Sequence, residues 1–198
     1  MEQYIQSIMN NLGYLGIAFL MFLENVFPPL PSELIMPLAG FSAELGEQSL
    51  VAVIVAGSLG SLIGQLPLFY LGKLAGRERL ERWVDKYGRW LSISGKDISK
   101  ANDWFDRYKG WAVCLCRLIP GIRSLISIPA GLSDMNLFPF LLYTLLGTSI
   151  WTTLLAYLGY ILGDNYQLVA QYLGPVSYGI IGLLALLFFG WVLWRRVK

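Results

Sequence analysis

Two apolar stretches of this chain each break around prolines, and each carries ionisable side chains beside the break. The first runs Leu20-Met-Phe-Leu-Glu24-Asn-Val-Phe-Pro28-Pro29-Leu-Pro31-Ser-Glu33-Leu-Ile-Met-Pro37-Leu-Ala-Gly40. The second runs Val113-Cys-Leu-Cys-Arg117-Leu-Ile-Pro120-Gly121-Ile-Arg123-Ser-Leu-Ile-Ser-Ile-Pro129-Ala-Gly131. Proline removes a backbone donor and stops a helix, and broken backbone survives at bilayer depth only where protein or a watery cavity satisfies it. An ionisable side chain at that depth costs roughly 2.5–3.5 kcal/mol on insertion scales, so it marks a functional position. One acidic break and one basic break together describe a midplane site of the kind transporters build from interrupted helices.

Composition supports a membrane setting. The chain has 198 residues, 56% of them apolar and 14% charged, with mean hydropathy +0.56. Soluble domains carry about 25% charge, so the expectation is an all-α integral membrane protein, one domain over 1–198. Histidine is absent, which removes the commonest metal ligand and general base. Cys114 and Cys116 have the wrong spacing for a zinc or redox motif and read as buried small hydrophobes. No metal, cofactor or catalytic residue is expected. The first fifteen residues hold Glu2 and no Lys or Arg, unlike the basic start of a secretory signal. Residues 1–11 suit an interfacial amphipathic helix, with Tyr4, Ile5, Ile8, Met9 and Leu12 apolar.

Apolar segments fall at 13–41, 50–75, 111–133, 137–162 and 176–194. A crossing takes about 20 residues, so 50–75, 137–162 and 176–194 are predicted transmembrane helices. Segments 13–41 and 111–133 split at their prolines into arms nearer the length of a re-entrant hairpin. Of 15 Lys and Arg, ten lie between Lys73 and Lys109, and Arg195, Arg196 and Lys198 end the chain. Loops 42–49 and 163–175 carry only Glu44, Glu47 and Asp164. The positive-inside rule puts 73–109 and the C-terminus in the cytoplasm and the two bare loops outside. Parity then requires 111–133 to enter and leave on the cytoplasmic side, independently of its prolines. With the N-terminus outside, a side that charge constrains weakly, 13–41 does the same from the other face. The predicted architecture is an inverted repeat of hairpin plus transmembrane helix, with a further C-terminal helix.

The insert 77–109 has nine basic and six acidic residues interleaved with aromatics. Its small basic excess fits interfacial helices on an anionic inner leaflet better than nucleic-acid binding. Gly57, Gly60, Gly64, Gly72 and Gly76 form a small-residue face suited to close helix packing, and Gln65 and Pro67 are assigned to packing as well. Asp106 and Asp134 are assigned to solvated or capping positions.

Arg117 and Arg123 flank Pro120-Gly121, and a guanidinium matches phosphate oxygens in a two-pronged geometry. The alternative is one arginine reaching the cytoplasmic surface while the other caps a broken helix. Glu24 and Glu33 flank Pro28, Pro29 and Pro31. Burial against a nearby arginine suits them either to proton coupling or to a static ion pair. Asn25, Ser32, Ser124 and Ser127 could bond freed backbone or a headgroup.

These residues carry a resemblance. Glu24-Asn25 ahead of Pro28-Pro29-x-Pro31-x-Glu33, then Arg117-x-x-Pro120-Gly121-x-Arg123 and Ala130-Gly131-x-x-x-Met135, resemble the DedA superfamily of bacterial membrane proteins, whose core recurs in eukaryotic VTT (SNARE-associated) proteins. The match runs over about residues 10–165. The resemblance implies translocation of a phosphate-bearing lipid, coupled to the proton-motive force, in the bacterial cytoplasmic membrane. It implies Arg117 and Arg123 as phosphate-binding and Glu24 and Glu33 as proton-coupling or ion-paired. Some members carry Asp where this chain has Glu33. Undecaprenyl phosphate is the expected lipid, because two arginines can neutralise a phosphomonoester. Phosphatidylethanolamine flipping and passive phospholipid scrambling are the alternatives. The partners expected are the lipid and protons, not nucleic acid, in a monomer or a homo-oligomer. A lipid-modifying enzyme and an ion channel are the rival classes; histidine-dependent lipid phosphatases are excluded by composition, and nothing resembles a selectivity filter.

Overall fold

The computed structural model describes residues 2–26, 32–76, 110–120, 122–169 and 171–173, with single positions at 105, 107, 108, 175, 179, 182 and 186. Pro28, Pro29, Pro31 and Gly121 lie outside the described residues, as do nearly all of the insert 77–109 and of the segment 176–194. The described residues are helical and contain no strand.

Helix α1 (Glu2–Leu12) buries Ile5 and Met9, one turn apart, while Tyr4 and Leu12 are exposed. It packs on α2 (Tyr14–Val26) and α3 (Ser32–Glu44). Gly13, at φ +54°, lets the chain turn directly from α1 into α2. Helices α2 and α3 are the two arms of the first broken stretch, thirteen residues each.

The predicted span 50–75 is present but broken. Helix α4 (Leu50–Gly64) gives way at Gln65 to α5 (Leu66–Ala75), which has Pro67 near its start. Proline cannot donate back to the preceding turn, and the ladder is interrupted there. The second broken stretch differs from the first. A helix over 110–116 (α6) passes into turns over 117–120 and 122–126, then a short α7 (Ser127–Leu132). Helix α8 (Leu137–Leu162) follows, ending in a 3-10 turn at Gly163–Asn165.

Leu50–Ala75 and Leu137–Asn165 are long and apolar enough to cross a membrane. Their outward faces are mostly apolar, with Lys73 exposed near the end of the first and Thr153 on the second. Val51, Val55, Leu59 and Ile63 are exposed on α4, and Phe138, Leu142, Leu146, Ile150, Leu154 and Ile161 on α8. Contiguous apolar surface on that scale suits lipid rather than water. The inward faces carry small and polar residues: Gly57, Ser58, Gly60, Ser61 and Gly64 on α4, and Thr144, Gly147, Thr148, Thr152 and Gly159 on α8.

Glycine lets these helices approach backbone to backbone, and the approaches recur in the two halves. A Cβ on Gly40 would strike the Ala156 carbonyl, and one on Gly131 the Phe69 carbonyl. Gly159 faces Pro37 in the same way that Gly72 faces Ile128. Gly40 and Pro37 lie 91 residues before Gly131 and Ile128; Phe69 and Gly72 lie 87 before Ala156 and Gly159. So α3 packs on α8 as α7 packs on α5. Gly60 against Ala18 and Gly147 against Cys114 add a third such pair. Gly76, assigned by sequence to the packing face, instead caps α5 at φ +69° with open space beside it.

Candidate functional site

Among the described residues, four charged side chains are buried in this apolar framework: Glu24 (8% exposed), Glu33 (9%), Arg117 (2%) and Arg123 (5%). Each sits beside a break. Glu24 is in the last turn of α2, Glu33 in the first turn of α3, and the arginines are in the turns between α6 and α7. A helix end buried in apolar surroundings leaves backbone groups unpaired, and long polar side chains are what reaches them.

Arg123 and Glu24 form an ion pair through Nη2 and Oε1, joining the first broken stretch to the second. Arg117 is held differently. Its Nη1 donates to the Arg123 carbonyl oxygen at 2.9 Å; its Nη2 donates to Ser127 Oγ at 3.0 Å and to Thr144 Oγ1 at 3.1 Å. Its guanidinium also stands over the Phe140 ring, 5.8 Å from the centroid. The first of these bonds ties the turns to their own origin. Two buried polar atoms lack a hydrogen-bond partner here: Glu24 Oε2 and Arg117 Nε. Native interiors satisfy most such atoms, so each of these two keeps unused hydrogen-bonding capacity. Glu33 does not share in the Arg123 pair; it accepts from Ser32 Oγ at 3.3 Å, which in turn accepts from Trp151 Nε1 at 3.5 Å.

A neutral network runs beside the charged pair. Asn25 Nδ2 donates to the Met21 carbonyl oxygen at 2.7 Å and to Ser61 Oγ at 2.9 Å. Ser124 Oγ donates to Asn25 Oδ1 at 3.0 Å. Gln65 donates to that same oxygen through Nε2 and accepts from Ser127 Oγ at 2.6 Å through Oε1. Asn25, Ser124 and Ser127, left open between backbone and headgroup by sequence, are thus bonded mainly to one another's elements. Gln65 and Thr144 were missed as members of this cluster. Their signal was weak: a lone amide or hydroxyl within an apolar helix reads as packing until its partners are known. A cavity of about 300 Å³, bordered by Trp111, Asp134 and Tyr143 among others, lies apart from the Glu–Arg cluster.

Among the described residues, no three His, Cys, Asp or Glu are grouped to hold a metal. Cys114 is buried, Cys116 half-buried, and neither is in a disulfide.

The VTT domain family model matches residues 28–161, which contain every break and charged residue above except Glu24. The chain is 43% identical over 190 residues to a Lactococcus lactis subsp. cremoris protein called "Alkaline phosphatase-like protein", covering 95% of this chain and 88% of that one. It is 41% identical over 169 residues to "Undecaprenyl phosphate transporter A" of Staphylococcus aureus, covering 85% and 83%. The Bacillus subtilis protein of the same description is 32% identical over 188 residues, covering 93% and 91%. No solved structure matches the chain. By these matches the chain belongs to the DedA superfamily of VTT-domain membrane proteins.

Proposed function

We propose that this protein carries a phosphate-bearing lipid across the bacterial cytoplasmic membrane, undecaprenyl phosphate in particular. The observation that carries the reading is the buried Glu24–Arg123 pair, with Glu24 Oε2 and Arg117 Nε left over beside it. A lipid phosphate entering there exchanges with Glu24 for the Arg123 guanidinium and gains a second donor from Arg117. Both arginines offer what a phosphate needs, fixed forked donors in a medium where the charge is weakly screened. The relatives described as undecaprenyl phosphate transporters support the choice of lipid.

The released Glu24 carboxyl, with Glu33 nearby in sequence, is then the group that takes a proton while phosphate holds Arg123, and gives it up on the other side when the ion pair reforms. A phosphomonoester bears roughly −1.5 to −2 charges near neutrality. Moving a charge across the membrane potential is worth about 2.3 kcal/mol per 100 mV, which a co-transported proton offsets. The topology that serves this reading has 13–41 and 111–133 as re-entrant hairpins of opposite orientation, each followed by a crossing helix. The repeated glycine contacts of the two halves support it. The insert 77–109 and the C-terminus then face the cytoplasm, and 176–194 is a further crossing helix.

Reconstituted vesicles test the function. Labelled undecaprenyl phosphate in the inner leaflet should become accessible to an external probe when the protein is present, and intact lipid should be recovered. Release of inorganic phosphate instead would make the protein a lipid phosphatase, the reading that the description of the Lactococcus relative raises.

A further inference from the structure

We propose that Gln65 is a positioning residue of the phosphate site, resting on the lipid-phosphate reading above: an amide bridge that holds Arg117 in place through Ser127 while Arg123 changes partners. Gln65 sits at the break between α4 and α5 and is 1% exposed. Packing alone does not call for an amide there, since a buried amide must find partners for its donors and its acceptor or lose stability. Gln65 finds one on each side. Its Nε2 donates to Asn25, the neighbour of Glu24 on α2, and its Oε1 accepts from Ser127 at the start of α7.

The second bond has a consequence for Arg117. The Ser127 hydroxyl proton is committed to Gln65, so the lone pairs of the same oxygen are turned to Arg117 Nη2 at 3.0 Å. Asn25 also accepts from Ser124, the neighbour of Arg123, at 3.0 Å. Two links therefore join the same elements side by side, one charged through Glu24 and Arg123, one neutral through Asn25, Gln65 and Ser127. When phosphate takes Arg123 from Glu24, the charged link opens. The neutral link stays closed and keeps Arg117 aimed at the cargo.

The test titrates purified wild type, Gln65→Leu, Ser127→Ala and the double variant with geranylgeranyl phosphate, a short prenyl phosphomonoester, fitting Kd and binding stoichiometry separately. Ser127→Ala removes a hydrogen bond to the charged Arg117, and Gln65→Leu removes the bond that turns the Ser127 oxygen toward it, which predicts about a tenfold weaker Kd in each single variant. Stoichiometry should stay at the wild-type value, which a merely structural role would lower. The double variant should bind no worse than the weaker single one, because residues acting in one chain do not add. A wild-type Kd in folded Gln65→Leu, a loss confined to stoichiometry, or additive losses in the double variant would each overturn the positioning role. Should Gln65→Leu not fold, Ser127→Ala, the smaller change, decides by its own Kd: a wild-type value there overturns the role as well. Absence of binding by the wild type would overturn the transport reading and the positioning role with it.

Discussion

The Arg123 guanidinium meets the Glu24 carboxylate across 99 positions of sequence, both side chains buried in apolar surroundings. Removing one partner of such a pair strands the other charge at a cost of about 3–5 kcal/mol, whereas removing both is often close to neutral. Glu24→Gln and Arg123→Gln should each lower the unfolding midpoint in detergent, and the double variant should recover most of the loss. Transport should be absent in Arg123→Gln and in the double variant. Recovery of transport in the double variant would make the pair a structural staple only.

The proposed proton coupling rests on the two acids. Glu24→Gln and Glu33→Gln, measured in vesicles under an imposed pH gradient, should lose the response of transport to that gradient. A wild type indifferent to the gradient would be a passive scramblase.

Lysine should not replace either arginine. Arg117 uses two guanidinium nitrogens on three different oxygens, which a single ammonium cannot span in the same geometry. Arg117→Lys and Arg123→Lys should insert and express yet transport at least about tenfold more slowly, the loss of one charged hydrogen bond. Normal rates in both would show that positive charge alone suffices.

The repeated glycine contacts predict paired effects. Gly40→Ala and Gly131→Ala each drive a methyl group into a facing carbonyl, and each should destabilise by about 1–3 kcal/mol. Gly179→Ala, with open space around it, should be close to neutral in the same unfolding assay. A neutral Gly131→Ala beside a damaging Gly40→Ala would break the equivalence of the halves.

Sidedness is checked with single cysteines in a background lacking Cys114 and Cys116. Cysteines at Glu47 and Gln167 should react with an impermeant reagent from outside, and those at Lys96 and Lys198 should not. External labelling at 96 would reverse the assignment.

The two long apolar helices were legible because hydropathy is a property of the residues themselves: Val51, Val55, Leu59 and Ile63, and Phe138, Leu142, Leu146, Ile150, Leu154 and Ile161, recur on successive outward turns. The interruption at Pro120 was legible for a similar reason, since proline lacks the backbone donor that a helix needs. The break at Gln65 was passed over because the apolar run continues on both sides of it. Within the second interruption, turns over 117–120 and 122–126 are stitched by Arg117 to the Arg123 carbonyl, a bond no spacing rule foretells.

Sequence by itself determined that four charges would be carried at helix breaks within an apolar chain, because the cost of placing them there attaches to the residue type and not to its neighbours. Only the tertiary structure decided that Arg123 and not Arg117 takes Glu24, that Glu33 turns to Ser32, and that Gln65 links Asn25 to Ser127. Those choices follow from where the helices cross, and the crossings are set by backbone contacts such as Gly60 on Ala18 and Gly147 on Cys114. A hydrogen bond reaches about 3 Å, so its partner is fixed by that approach and by nothing in the local sequence.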